Sequence, residues 1–149
     1  MTSISPPSAT TVAPDTIERF MRDQVLHWNG HNKAAFMALY RELAPLSLEI
    51  TYAGRSDTAD GWLVIEEMYD KHNAQFRLEV VSTIFAGQEV VVHHHNCIVG
   101  SAAVIESIET YRFAPGRLWV CYHLKAPAAE QVDLSQFRGF AGAEPSVNT

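Results

Sequence analysis

Glu109 lies on the more apolar face of the segment Ile105-Glu106-Ser107-Ile108-Glu109-Thr110-Tyr111-Arg112-Phe113. The segment reads as a strand. Strand side chains alternate, so Ile105, Ser107, Glu109, Tyr111 and Phe113 share one face, with Glu109 its only charge. A carboxylate in apolar surroundings is costly unless it has a partner or stays protonated. The next strand, Leu118-Trp119-Val120-Cys121-Tyr122-His123-Leu124, offers His123 as that partner. An acid and an imidazole in an apolar pocket can transfer protons. The competing reading is an edge or interface charge paired with an arginine. The intervening loop decides which side chains meet. A two-residue turn at Pro115-Gly116 sets Glu109 opposite Tyr122, whereas a three-residue loop over residues 115–117 sets it opposite His123.

The run His93-His94-His95 suggests a metal, but three consecutive strand residues cannot converge on one ion. His93 and His95 share a face and would need a third ligand, and no HxxxH motif or carboxylate cluster follows in sequence. The expectation is no metal, with His93 and His95 on an outer face. His94 and Asn96 then face a pocket together with Val90, Val92 and Ile98. Tyr52, Trp62, Tyr69 and Trp119 are aromatics that would line a pocket or serve as plain core. There is no glycine-rich phosphate loop, no Ser-His-Asp order and no activated Cys-His pair, so no cofactor is expected. Cys97 and Cys121 have neither CxxC spacing nor a disulfide framework. They read as small buried thiols, consistent with a cytoplasmic home.

These residues need elements to position them. Asp15 reads as a helix N-cap with Glu18 at the capping-box position, and Ile17, Phe20, Met21, Gln24, Val25 and Trp28 follow as one stripe ended by Gly30. A short second helix carries Ala35, Phe36, Leu39 and Tyr40 on one face. Pro45 breaks the helical pattern, and residues 46–53 alternate as a strand. After a polar loop over residues 54–61, a third helix spans 62–72 with Val64, Ile65, Met68 and Tyr69 inward. Four strands follow at 76–85, 89–99, 103–113 and 117–125. Their short connections at Gly87, Gly100 and Gly116 imply an antiparallel meander. The result is an α+β architecture: a cone-shaped barrel in which a curved, mostly antiparallel sheet wraps around three helices from the first half of the chain. Such a sheet leaves a conical cavity.

At 149 residues the chain is expected to form one domain over residues 15–125. Residues 1–14 read as a disordered arm that lacks the basic start and apolar stretch of a signal peptide, and residues 126–149 as a partly flexible extension. A net charge of -6 argues against nucleic acid or an anionic membrane as the main partner, and no apolar run approaches bilayer length.

The element order resembles the nuclear transport factor 2-like superfamily, and within it the SnoaL-like group, which includes polyketide cyclases and has ketosteroid isomerase, scytalone dehydratase and limonene epoxide hydrolase among its relatives. The resemblance covers residues 15–125. It rests on Gly61-Trp62-Leu63-Val64-Ile65 opening the third helix, Gly87-Gln88-Glu89-Val90 opening a strand, and Tyr111-Arg112-Phe113-Ala114-Pro115-Gly116-Arg117-Leu118 across the last hairpin. It implies that His123 stands where many relatives carry a pocket aspartate acting as acid or base, and Glu109 where the cyclases carry a second polar pocket residue. It also implies that His94 and Asn96 stand where the epoxide hydrolases carry arginine and aspartate. The chain departs from both patterns.

The expected function is cofactor-independent acid/base chemistry, of isomerase, cyclase or dehydratase type, on a small, mostly apolar carbonyl or polyketide-like molecule. His123 would be the base and Glu109 its orienting partner. His94 and Asn96 would bind a substrate oxygen. The alternatives are a non-catalytic small-molecule-binding or dimeric interaction domain, and an epoxide hydrolase. Residues 118–124 are apolar on both faces, which predicts a homodimer through the outer face of the sheet.

Overall fold

The computed structural model describes residues 10–54 and 59–125; most of the expected arm and all of the expected extension lie outside these. The elements run α1 (Pro14–Asn29), α2 (Lys33–Leu43), β1 (Ser47–Tyr52), β2 (Ala59–Asp60), α3 (Gly61–His72), β3 (Phe76–Ala86), β4 (Glu89–Ile98), β5 (Val104–Ala114) and β6 (Arg117–Lys125). This is the expected α+β cone, with the helices against one face of a curved sheet. No helix among the described residues is long and apolar enough to cross a membrane.

Each helix has a local cause. In α1 the buried residues Ile17, Phe20, Met21, Gln24 and Trp28 follow the expected stripe. Its start differs from the expectation. Pro14 opens the helix, where its missing N–H costs nothing, so Asp15 sits within the first turn near the positive end of the dipole rather than at the cap. Asn32 caps α2 by accepting from the Ala35 N–H at 3.0 Å, and Asp60 caps α3 by accepting from the Trp62 N–H at 3.0 Å. Gly61 is required by packing, because a Cβ there would collide with the Leu48 carbonyl. The end of α1 is tied to β3. Trp28 Nε1 donates to the Phe76 carbonyl at 3.0 Å, and the Asn29 amide exchanges two hydrogen bonds with the Leu78 backbone, both 2.9 Å.

The sheet order is β2-β1-β6-β5-β4-β3. From β3 to β6 it is the expected antiparallel meander. The sequence did not indicate that β1 lies parallel to β6, with Leu48 beside Leu118, Ile50 beside Val120 and Tyr52 beside Tyr122. A bulge at Val81 interrupts the β3–β4 ladder, where extra residues sharpen strand bending. The concave face carries the core, where Phe20, Trp28, Phe36, Tyr40 and Tyr69 from the helices interlock edge to face.

The hairpin between β5 and β6 settles the register. Ala114 pairs with Arg117, so Pro115-Gly116 is a two-residue turn, with Gly116 at a φ of 72°. Proline followed by a positive-φ glycine is the preference of a type II turn. Glu109 therefore pairs with Tyr122, and His123 pairs with Ile108 on the opposite, exposed face.

Candidate functional site: a buried glutamate–histidine network

The inner faces of β4, β5 and β6 place Val90, Val92, His94 and Asn96, then Ser107, Glu109 and Tyr111, then Val120 and Tyr122 beneath the helices, all buried. Within this apolar layer Glu109 holds three donors. Oε1 accepts from the Tyr111 hydroxyl at 2.6 Å; Oε2 accepts from Ser107 Oγ at 3.0 Å and from His94 Nδ1 at 3.1 Å. Asn96 extends the chain by donating from Nδ2 to Ser107 Oγ at 3.0 Å and to the Ile105 carbonyl at 2.7 Å. On the far side, Tyr40 donates to Gln24 Oε1 at 2.6 Å.

Burial pushes the Glu109 carboxyl upward. Electrostatic attraction to the neighbouring His94, with the hydrogen bonds from His94, Tyr111 and Ser107, outweighs burial and holds the carboxyl below its ordinary range. An ionised carboxylate only accepts, so His94 donates from Nδ1. Its other ring nitrogen, Nε2, is buried and has no hydrogen-bond partner among the described residues. Tyr111 and Tyr122 are pushed well above the ordinary phenol value, first by burial and then by surrounding groups that include Glu109; Tyr40 shifts the same way. All three phenols therefore stay protonated and able to donate.

A cavity opens on this network. It is lined by Gln24, Tyr40, His94, Asn96, Glu109, Tyr111 and Tyr122, and on its apolar side by Trp28, Phe36, Met68, Leu78 and Leu124. The space that the centre of a water molecule can reach is about 40 Å³. That is enough for ordered water or a small part of a ligand, given that one water needs roughly 10–15 Å³ on this measure.

The structure separates the residues singled out from sequence. Glu109, His94 and Asn96 converge on the cavity. His123 does not: it is exposed on the outer face, with Nε2 3.6 Å from Cys121 Sγ. The expected Glu109–His123 pair is corrected to Glu109–His94, because the two-residue turn sends His123 to the other side of the sheet. Asn96 commits its amide nitrogen to Ser107 and Ile105, so it orders the network rather than offering that nitrogen to a ligand. Trp119 is also on the outer face, donating to Glu49 Oε2 at 3.1 Å beneath the Arg112 guanidinium. Tyr52 packs on Tyr122, with ring centroids 5.3 Å apart, and its hydroxyl lies 4.0 Å from Met68 Sδ. Tyr69 packs against Trp28 and Phe36, and Trp62 packs at the margin of the core; neither lines this cavity. Tyr40, Tyr111, Tyr122 and Gln24 were not singled out as site residues. Gln24 carried a signal, as the one polar member of the α1 stripe.

No protein-family model matches the sequence, and no curated protein does. Solved structures do resemble the fold. A candidate ketosteroid isomerase from Kribbella flavida superposes with a TM-score of 0.60 at 12% identity, over 74% of this chain and 78% of that one. A candidate SnoaL-like polyketide cyclase from Shewanella denitrificans gives 0.57 at 12% identity, over 85% and 98%. An NTF2-like protein of unknown function from Burkholderia xenovorans gives 0.57 at 12% identity, over 76% and 85%. The fold is that of the nuclear transport factor 2-like proteins. At such identities the likeness concerns the fold alone.

Proposed function

We propose that the chain is a cofactor-independent acid/base enzyme, of isomerase, cyclase or dehydratase type, acting on a small, mostly apolar carbonyl or polyketide-like molecule. The observation that carries this reading is the His94–Glu109 pair: Nδ1 engaged by a carboxylate and Nε2 left without a partner in a largely apolar cavity. A carboxylate on Nδ1 fixes the tautomer, so that Nε2 of the neutral ring presents its lone pair as a base, and it stabilises the imidazolium that forms. His94 takes the proton. Glu109 orients His94, with Tyr111 and Ser107 holding the carboxylate in place. The Tyr122 phenol, kept protonated by burial, donates to the oxygen on which charge develops.

The test is exchange of α-protons of small cyclic enones in heavy water, followed by NMR. His94→Gln should lower the exchange rate by about two to four orders of magnitude, the usual contribution of a general base. An unchanged rate in that variant removes His94 from the mechanism.

A second reading is a dimeric interaction domain. The narrowness of the cavity supports it, together with the exposed apolar side chains Ile84, Val91 and Ile108 on the outer face. A homodimer through that face fits either reading. Sedimentation should show a dimer at micromolar concentration that Ile108→Asp dissociates; a monomer in the parent protein argues against it.

A further inference from the structure

The outer face of the sheet carries a second convergence of chemistry-bearing groups. His95 of β4 pairs directly with Glu106 of β5, and His93 lies two residues along β4 on the same face. His93 Nε2 is 2.9 Å and His95 Nε2 3.8 Å from the same oxygen, Glu106 Oε1. The imidazoles stand nearly perpendicular, 5.4 Å between centroids and 82° between planes, so both nitrogens reach one point without the rings stacking. All three donor atoms lie within 4.8 Å of one another. The third ligand that two histidines on one strand face require is thus supplied by the neighbouring strand.

We propose that His93, His95 and Glu106 bind a divalent transition-metal ion of borderline softness, with zinc the representative. Two imidazole nitrogens and one carboxylate oxygen are the donor set such ions prefer. Zinc at about 2.0–2.1 Å from tetrahedral ligands holds them about 3.4 Å apart. The two separations to Oε1 fall either side of that value and all three donor atoms lie within 4.8 Å, so closing the site requires the side chains to draw together around the ion. The ligands are half-exposed, which lets an ion enter from solvent and leaves a position for water. Lys125 approaches the other carboxylate oxygen, Oε2, at 3.8 Å, so it can keep that contact while Oε1 binds the ion. Glu79, opposite His95 on β3, is engaged by Arg77 at 2.8 Å and is not counted as a ligand. His94 points through the sheet and cannot join. The site is therefore separate from the cavity; it lies on the outer face that the dimer reading covers, where His93 pairs with Ile108, and its access to solvent is that of the single chain.

The test is a calorimetric titration of protein lacking any affinity tag with zinc chloride, followed by NMR of the histidine rings. The expected result is one ion per chain. His93→Gln and Glu106→Gln should each weaken binding by more than about tenfold, since even indirect supports of a metal site cost 10–100-fold when removed. His123→Gln, a nearby exposed histidine on the same face, should bind like the parent. Zinc should shift the His93 and His95 resonances and spare that of His123, a readout that needs no variant to fold. Absence of saturable binding, parental affinity in His93→Gln, or loss confined to His123→Gln overturns the proposal.

Discussion

On the inner face of β4 and β5, His94 meets Glu109 at 3.1 Å; on the outer face, His93 meets Glu106 at 2.9 Å. The chemical groups are the same and the separations nearly so. Exposure is what differs: 2% and 9% for the inner side chains against 27% and 40% for the outer pair. The inner carboxylate has lost its water and holds three protein donors instead. The outer carboxylate keeps its water and shares itself loosely among His93, His95 and Lys125. A pair in water contributes little to stability, whereas removing one partner of a buried pair leaves the other without compensation. Distance alone therefore does not distinguish a buried histidine–carboxylate network from an exposed pair; the second set of hydrogen bonds does.

The strongest way to break the comparison is truncation. Glu109→Ala removes the acceptor of Tyr111, Ser107 and His94 together and should destabilise the protein by about 3–5 kcal/mol. Glu106→Ala should leave the urea midpoint close to that of the parent. Equal losses in the two variants would mean that burial does not divide the pairs. A smaller effect is expected in acid. The folded Glu109 carboxyl lies below its ordinary value of 4.5. Its contribution is fully present above that value and is lost as pH falls through the lower folded one. Glu109→Gln should flatten the acid limb of stability against pH, read by denaturation between about pH 5 and pH 2. The smallest effect is that of salt. Raising ionic strength from about 0.01 M to 1 M shortens the screening length from roughly 30 Å to 3 Å. The hydrogen bond from His93 holds the Glu106 carboxyl below its ordinary value, and addition of salt should bring its NMR titration back toward that value. The corresponding His94–Glu109 coupling should be insensitive.

Much of this arrangement was legible in the chain. The α1 stripe, the four meander strands and the sharing of one face by Ser107, Glu109 and Tyr111 all follow from side-chain period, which is local information. The identity of the partner of Glu109 was not local. It depended on one residue of loop length, and a single step reverses which face His123 occupies. Pro115-Gly116 held the answer, because proline followed by glycine favours the two-residue type II turn. His94 sits opposite Ser107, so its contact with Glu109 is a diagonal one across the ladder, a geometry that a residue-by-residue reading of one strand does not supply. The β1–β6 pairing was hidden for a similar reason: it joins segments about seventy positions apart, and nothing in the alternation of either names the other.

Three histidines in succession on β4 also bind the history of the two faces together. A point substitution can alter His93 or His94 alone. An insertion or deletion of one residue within β4 cannot, because every later side chain in the strand would trade places across the sheet. The imidazole that faces the cavity would be carried to the outer face and a neighbouring imidazole carried in, with His95 or Cys97 delivered to the position of Asn96. Lineages descending from such a chain can thus lose or retune either set of histidines by substitution, while a one-residue length change between Glu89 and His93 puts both at risk in a single event.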